Sequence, residues 1–314
     1  MKATRDAIGD FLPTAGDTNK DIVVLDADLG GATKLRAFGQ RHPTRFHQIG
    51  IAEANMIGIA GGLSEYGYKV FISSFGSFLT GRYDIIRCSL AYPNRPVVLV
   101  GTHVGLAIGK DGVTQMGLED VSLMRAMPNI KILNPGTYTE ATHAIRYLCE
   151  TDLDSPYYLR LGRQPVEDVF ENVTSYKFEF GKGIEVRSGR DISLLTTGCV
   201  LPDVVEASKR IEEKTGMSVR VINFHTLKPI DREIILKAAS ETRVKIFTIE
   251  DHTIIGGLGS AVAEVLASKA HGPPLVQIGL NDIFPESGPP ADLYEKYGLS
   301  ANKISERVIS ERLG

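Results

Sequence analysis

A single carboxylate, Glu53, stands near the start of a run of small and apolar residues, IGIAEANMIGIAGGLSEYG (49–67). The unpaired amides and dipole of a helix N-terminus favour an acid there, so a structural role is the common explanation. Two features favour a catalytic or ligand-binding role for Glu53 instead. The residues after Glu53 are small enough for a backbone or a flat ligand to approach. Downstream, Phe75 and Phe78 lie three apart on one helical face; such pairs are mostly core, but beside an acid they could enclose a heteroaromatic ring.

A second polar cluster is predicted in the glycine-rich stretch GTHVGLAIGKDGVTQMGLED (101–120), which follows an apolar strand. It carries His103, Lys110, Asp111 and Gln115. In open α/β folds, ligands bind at the carboxyl ends of the strands, and loops there are often functional. A lone histidine is more often structural, but a protein core does not require this combination of polar residues. We therefore expect a ligand at this loop.

Two arginines end another predicted strand, in YLRLGRQP (158–165). Strand alternation sends Arg160 and Arg163 to opposite faces. Arg163, at the strand end, suits an anionic group of a substrate, because a guanidinium binds such groups through two hydrogen bonds. The alternative is a surface ion pair.

The elements that would position these residues alternate along the chain. Short apolar runs such as DIVVLDADL and RPVVLVGTH alternate with helical patterns such as FLTGRYDIIRCSLAY and TYTEATHAIRYLCE, each predicted as one helix, which indicates an α/β fold with mainly parallel sheets flanked by helices. The pattern becomes irregular and charged near Gln164 and resumes after Gly189. We predict two domains, residues 1–165 and 189–314, joined by a connection over residues 166–188.

The amino-acid composition limits the kinds of binding partner that we expect. The 314 residues are 43% hydrophobic, and 35 basic and 38 acidic side chains give a net charge of −3. We expect neither nucleic acid nor membrane as the main partner, and a cytoplasmic location. The three cysteines, Cys88, Cys149 and Cys199, are expected to be buried free thiols.

Taken in order, these stretches resemble the C-terminal half of transketolases, that is, the pyrimidine-binding domain and the C-terminal domain of a thiamin diphosphate enzyme. The resemblance rests on motifs in both predicted domains: DADLGGATK, GIAEANMIGIAGGL, SFGSFLTGRYD, THVGLAIGKDG, LGRQP and IEDHTIIGGLGSAVAEVL. The GIAE form is shared with deoxyxylulose-phosphate synthases and dehydrogenase E1-beta subunits, so it marks the superfamily and not the substrate.

The resemblance implies a role for each cofactor-binding candidate. Glu53 matches the acid that hydrogen-bonds a ring nitrogen of the aminopyrimidine and so helps the cofactor to lose the proton of its thiazolium carbon. Phe75 and Phe78 would pack on the pyrimidine, and Asp28 would lie near the cofactor. The cofactor carries the carbanion chemistry and the protein tunes it.

The implied substrate site departs from the family pattern. His103 and Arg163 match residues that contact a sugar phosphate, and Asp111 matches one that contacts a substrate hydroxyl. Gln115, however, stands where the loop usually has a histidine, and an amide cannot titrate. Gly81 replaces a pocket aromatic, and Ala32 replaces a serine. We also expect the family's phosphate-binding arginine near the start of the chain to be missing. Another anionic or branched sugar is therefore an alternative to an ordinary sugar phosphate.

The chain lacks the GDG…N motif that binds the diphosphate and its metal in this family. The resemblance therefore implies a separate N-terminal subunit that carries this site with Mg²⁺ or Ca²⁺, and an α2β2 heterotetramer in which the small-residue face after Glu53 contacts the partner. We expect no metal ligands on this chain.

These expectations lead to one favoured function and two alternatives. The favoured function is the C-terminal subunit of a split transketolase, which transfers a two-carbon ketol unit from a ketose to an aldose. The alternatives are the E1-beta subunit of a 2-oxoacid dehydrogenase and a non-catalytic scaffold. The GRQ and THVG sequences count against the dehydrogenase, and the joint presence of Glu53, Phe75, Phe78 and Asp111 counts against the scaffold.

Overall fold

Two α/β units make up the computed structural model, which describes residues 1–171, 173, 176–268 and 272–311. The strands of the first unit are β1 Lys2–Ala3, β2 Ile22–Asp26, β3 Phe46–Gln48, β4 Lys69–Phe75, β5 Val97–Thr102, β6 Lys131–Leu133, β7 Tyr157–Arg160 and β8 Pro165–Val166. Its helices are α1 Asp6–Thr18, α2 Arg36–Arg41, α3 Glu53–Glu65, α4 Gly76–Thr80, α5 Tyr83–Ile86, α6 Asp120–Ala126 and α7 Tyr138–Glu150.

The second unit follows the same alternation. Its strands are β9 Ile184–Arg187, β10 Ile192–Thr197, β11 Val219–Asn223, β12 Thr226–Lys228, β13 Lys245–Thr253 and β14 Leu275–Leu280. Its helices are α8 Leu201–Thr215, α9 Arg232–Glu241, α10 Leu258–Leu266, α11 Pro290–Lys296 and α12 Ala301–Glu311.

Both large sheets are mainly parallel, as predicted. The first has the order β12-β6-β7-β5-β4-β2-β3, and only β12 is antiparallel to its neighbour. The second has the order β14-β13-β10-β11-β9, with β9 antiparallel. Strands such as β5 and β10 are buried along their whole length because helices cover both faces of each sheet. The predicted fold class is confirmed.

Several elements differ from the sequence-based expectation. The stretch FLTGRYDIIRCSLAY was predicted as one helix, but it divides into α4, α5 and a π-helical segment, Arg87–Ala91, with Gly81 at the end of α4. Helix α1 was not predicted, because Pro13 interrupts its pattern. Strand β9 lies inside the segment 166–188 that was predicted as a connection.

The expectation of three buried thiols is wrong for one of them. Cys149 is buried and Cys199 is half-buried, but Cys88 is exposed, and all three are free. Cys88 is in the π-helical segment, where the neighbouring Ile86 and Leu90 fill the core. An apolar sequence context therefore did not determine which side of the helix faces solvent. Among the helices that the structure describes, none combines the length and the apolar character needed to cross a bilayer.

A buried carboxylate joins the two units. Glu140, in α7, accepts hydrogen bonds from the Gly136 backbone N–H at 2.6 Å, from Asn223 Nδ2 at 2.8 and 2.9 Å, and from the Tyr176 hydroxyl at 3.3 Å. Burial raises the pKa of Glu140 to about 7 in spite of these donors. Because Asn223 belongs to the second unit, the protonation of Glu140 is linked to the packing of the two units.

We expect Glu140→Gln to remove a pH dependence from the free energy of unfolding. The folded state holds the Glu140 proton more tightly, because the folded pKa of about 7 exceeds the usual 4.5. The stabilisation is complete below the pKa of Glu140 in the unfolded state. It is lost as the pH rises through the pKa in the folded state, which changes the free energy of unfolding by about 3 kcal/mol. Urea denaturation measures the free energy of unfolding of both proteins at about pH 5 and about pH 8. The value for the variant, relative to the wild type, should be higher at the higher pH. A stability difference that is the same at both values would contradict this.

Candidate functional site

The carboxyl ends of β2, β4, β5 and β7 meet at one edge of the first sheet, and the candidate residues lie there. Glu53 begins α3 and is buried, with 6% of its surface exposed. The Ser74 hydroxyl, on β4, donates a hydrogen bond to Glu53 Oε1 at 3.2 Å. Within the described part of the chain, no other group donates to this carboxylate, so Oε2 can accept or share a proton with a ligand.

Two phenylalanines and a histidine stack at the same edge of the sheet. Phe75 ends β4 and Phe78 lies in α4, with ring centroids 5.2 Å apart and ring planes 20° apart. Phe75 also stacks on His103, with centroids 3.8 Å apart. Phe75 is buried whereas Phe78 is half-buried, so Phe78 can contact a flat ligand. The structure thus brings together the aromatic pair and the loop histidine, which lie far apart in the sequence.

His103 is held as a neutral hydrogen-bond acceptor. Its Nε2 lies 2.8 Å from Arg5 Nη1, and its Nδ1 lies 2.8 Å from Thr102 Oγ1. Because a guanidinium can only donate, Nε2 accepts and Nδ1 carries the hydrogen. Burial, together with the charges of Arg5 and Arg163, lowers the pKa of His103 to about 3. The backbone φ of His103 is 57°, a value uncommon outside glycine.

An arginine near the start of the chain, Arg5, lies beside His103. Arg5 lies between β1 and α1, and its Nη1 contacts His103 and also donates to the Ala32 carbonyl at 2.8 Å. Its Nε is buried and has no partner among the described residues. Antiparallel pairing of β1 with β8 brings the start of the chain beside the end of β7. The local sequence TRDA carries no signal of this pairing, which is why inspection of the chain missed Arg5.

The glycine-rich loop, defined here as residues 103–117, adds the remaining substrate candidates. Arg163 Nη1 donates to Asp111 Oδ2 at 2.8 Å and to the Ile108 carbonyl at 3.1 Å, so the predicted substrate residues form a partly exposed ion pair. Gln115 is half-buried, and its carbonyl accepts from the Ser77 hydroxyl at 3.0 Å. Lys110 is exposed.

Arg160, the last residue of β7, has a structural role. Its Nε donates to Asp120 Oδ2 at 2.8 Å, and the Tyr158 hydroxyl donates to the same oxygen at 2.7 Å. All three residues are buried.

Asp28 follows β2 at the same edge of the sheet. It is exposed, has a φ of 62°, and its backbone N–H donates to Gln48 Oε1 at 2.8 Å. The turn that presents it is held by Asp26, a buried carboxylate that accepts from the Gly30 N–H at 2.9 Å. In the described part of the chain, no group of three histidine, cysteine, aspartate or glutamate residues could hold a metal ion.

Family models match almost the whole chain. The transketolase pyrimidine-binding domain matches residues 1–168, and the transketolase C-terminal domain matches residues 181–304. A putative transketolase C-terminal section from Methanocaldococcus jannaschii is 40% identical over 99% of this chain and 96% of that protein. A 6-deoxy-6-sulfo-D-fructose transketolase subunit from Clostridium sp. is 36% identical over 98% of this chain and 94% of its own length. One of the subunits of an apulose-4-phosphate transketolase from Phocaeicola vulgatus is 32% identical, with 98% and 97% coverage.

Solved structures agree with these relatives. A structure described as a split-gene transketolase in an inactive β4 tetramer superposes with a TM-score of 0.89, is 39% identical, and covers 99% of this chain and 98% of its own. A transketolase from Pichia stipitis has the same fold, with a TM-score of 0.81 and 22% identity, but this chain covers only 45% of it. The chain therefore belongs to the transketolase family, of which it comprises the pyrimidine-binding and C-terminal domains.

Proposed function

We propose that this chain is the C-terminal subunit of a split, thiamin diphosphate-dependent transketolase, which transfers a two-carbon ketol unit from a ketose to an aldose. One observation carries the proposal. A buried carboxylate with an open oxygen, Glu53, lies on the same sheet edge as an aromatic stack that continues, through His103, to two arginines. This arrangement suits a flat nitrogen heterocycle at one end and an anionic sugar at the other.

The residues at the acid end fit the pyrimidine of the cofactor. Glu53 would hydrogen-bond a ring nitrogen through Oε2 while Ser74 holds Oε1. Phe78, and Phe75 behind it, would pack on the ring, and Asp28 would lie beside the cofactor. When bound, thiamin diphosphate supplies a carbanion that can attack a ketose carbonyl. The contribution of this chain is to orient the ring and to hold a proton at Glu53.

The residues at the basic end fit an anionic substrate group. Arg5 and Arg163 place two guanidinium groups near His103, and their charges disfavour a proton on its ring. A phosphate or sulfonate between them would be bound by charge-assisted hydrogen bonds. Asp111 would then be available for a substrate hydroxyl. The relatives named for a sulfosugar and for a sugar phosphate support an anionic sugar.

An N-terminal subunit would complete the site. It would bind the diphosphate together with Mg²⁺ or Ca²⁺, and we propose an α2β2 assembly in the cytoplasm. Helix α3 supports such a contact, because one of its faces is left uncovered and carries Asn55, Gly58, Ile59 and Gly62, with the exposed Tyr66 just after the helix. The β4 tetramer described for the split-gene relative is inactive, which is consistent with a need for a second kind of subunit.

Reconstitution tests the proposal and its two alternatives together. The chain is mixed with the N-terminal subunit, thiamin diphosphate and Mg²⁺, then offered a ketose phosphate with an aldose acceptor, or a 2-oxoacid. Ketol transfer that needs both subunits supports the proposal. Release of carbon dioxide from the 2-oxoacid assigns the chain to the E1-beta group. A complex that forms but catalyses neither reaction supports the third possibility, a non-catalytic scaffold.

We expect Gln115→His to move substrate preference toward common sugar phosphates. The imidazole could exchange a proton with a substrate hydroxyl, which an amide cannot do. The Ser77 contact uses the Gln115 backbone carbonyl, so the substitution should leave that bond in place. The kcat/KM values for a panel of ketose phosphates measure the change. An unaltered ranking of substrates would show that residue 115 does not select them.

A further inference from the structure

The second unit holds both ends of the glycine-rich loop. Within the loop, the Gly105 N–H donates to the Gly117 carbonyl at 2.9 Å. Where the chain enters the loop, the Leu106 N–H donates to Asp251 Oδ1 at 2.9 Å. Just beyond the loop, the Thr253 N–H donates to the Leu118 carbonyl at 2.8 Å. Asp251 and Thr253 are both on β13, so one strand of the second unit anchors a loop of the first.

Asp251 has little freedom to move. It is 4% exposed, and its second oxygen, Oδ2, accepts from the Tyr294 hydroxyl in α11 at 2.8 Å. Its backbone carbonyl accepts from Arg160 Nη2 at 3.0 Å, and the same nitrogen donates to the Gly117 carbonyl. The carboxylate is therefore fixed on both oxygens while it holds the Leu106 amide.

Glycines allow the backbone of the loop to approach Asp251 and other residues of the second unit closely. Gly105 has a φ of 72°, and a side chain there would overlap the Asp251 carboxylate. Further along the loop, a Cβ at Gly109 would lie 3.0 Å from Pro290, and one at Gly112 would lie 2.5 Å from Ser287 Oγ. The loop thus lies against the second unit along its length.

The conformation of this loop sets the direction of Arg163. The two groups that accept hydrogen bonds from Arg163 Nη1, the Ile108 carbonyl and the Asp111 carboxylate, both belong to the loop. A loop released from β13 would move both acceptors. Asp251 can therefore influence the substrate site through the loop without contacting a substrate.

We propose that Asp251 is a positioning residue that sets the affinity for the anionic sugar, because it holds the glycine-rich loop in the conformation that directs Arg163 and Asp111 into the site. This inference rests on the proposed transketolase function. It assigns the C-terminal domain a part in substrate recognition.

The test compares Asp251→Ala with Asp251→Asn in the complete two-subunit complex. Alanine removes the acceptor of a charge-assisted hydrogen bond, so KM for a phosphorylated ketose should rise roughly tenfold to a hundredfold while kcat changes less. Asparagine should restore most of the affinity, because its oxygen can accept from Leu106 while its amide donates to the Tyr294 oxygen. If the alanine variant does not assemble, Asp251→Ser, which is too short to reach both partners, replaces it.

Tyr294→Phe is the matched control. It removes the other hydrogen bond to the same carboxylate but leaves the bond to Leu106, so it should lower Tm without the same rise in KM. Equal rises in KM for both variants at equal loss of Tm would overturn the proposal, as would an unchanged KM in a folded Asp251→Ala complex.

Amide hydrogen exchange separates this inference from the proposed function. In the chain alone, the Leu106 amide should exchange faster in Asp251→Ala than in the wild type or in Asp251→Asn. Equal exchange in all three would overturn the anchoring. If the wild-type complex transfers no ketol unit, the proposed function fails, and the exchange rates still decide whether Asp251 holds the loop.

Discussion

Glu53→Ala is expected to lower the rate of ketol transfer about a thousandfold, the scale of a lost proton-transfer group. Glu53 is the buried acid at the sheet edge that also carries the aromatic pair, and the only described donor to it is Ser74. Removing the carboxylate would leave the cofactor ring without its acidic partner. The rate is measured with the assembled complex at saturating cofactor, so that weaker cofactor binding does not account for the loss.

Two further variants identify the cause of that loss. Glu53→Gln keeps the shape and the ability to accept a hydrogen bond but cannot exchange a proton, so it should lose nearly as much activity as alanine. Ser74→Ala removes only the donor to Oε1 and should cost roughly tenfold or less, in line with one hydrogen bond. Undiminished turnover in Glu53→Ala, with a normal thermal transition, would remove Glu53 from the mechanism.

The second large effect is expected at Arg5. Arg5→Ala should raise KM for a phosphorylated ketose roughly tenfold to a hundredfold, because a charge-assisted hydrogen bond to the anion is lost. The same change removes one of the two positive charges that, along with burial, lower the pKa of His103 to about 3. The pKa of His103 should therefore rise, although burial keeps it below the usual value. An NMR titration of the histidine ring measures this without any substrate.

The controls for Arg5 separate charge from geometry. A ketose without the anionic group should show little change in KM, since it does not need the guanidinium. Lys237→Ala removes one positive charge from an exposed position on α9 of the second unit, which contacts none of the site residues named above, and should leave both KM values unchanged. If Arg5→Ala weakens the charged and uncharged ketoses equally, Arg5 supports the fold of the site and does not bind the anion.

Much of this site could be predicted from the chain because its signals are local. The order of strands and helices follows from apolar runs alternating with helical periods, and the acid, the aromatic pair and the glycine-rich loop each follow a strand in sequence. Parallel strands bring such positions to one edge, so their proximity could be expected. The stack of Phe75 on His103 and the ion pair of Arg163 with Asp111 agree with that expectation.

The missed residues depend on contacts between distant segments. Arg5 reaches the site only because β1 pairs with β8, and Asp251 reaches the loop only because β13 of the second unit runs beside it. Strand β12 crosses from the second unit to the edge of the first sheet, and three residues give no periodic signal of that pairing. Similarly, Cys88 occupies an apolar stretch but is exposed, whereas its neighbours Ile86 and Leu90 are buried.

The amino-acid sequence alone was enough to identify the family and the α/β fold class and to select the acid, aromatic and loop residues as candidates, because these features are encoded by residue type at short spacing. The folded structure was needed to show that Arg5 lies beside His103, that His103 is a neutral acceptor, and that the second unit contacts the glycine-rich loop. The physical reason is that hydrogen bonds and desolvation depend on which distant groups share a buried space, and that neighbourhood exists only once the chain has folded.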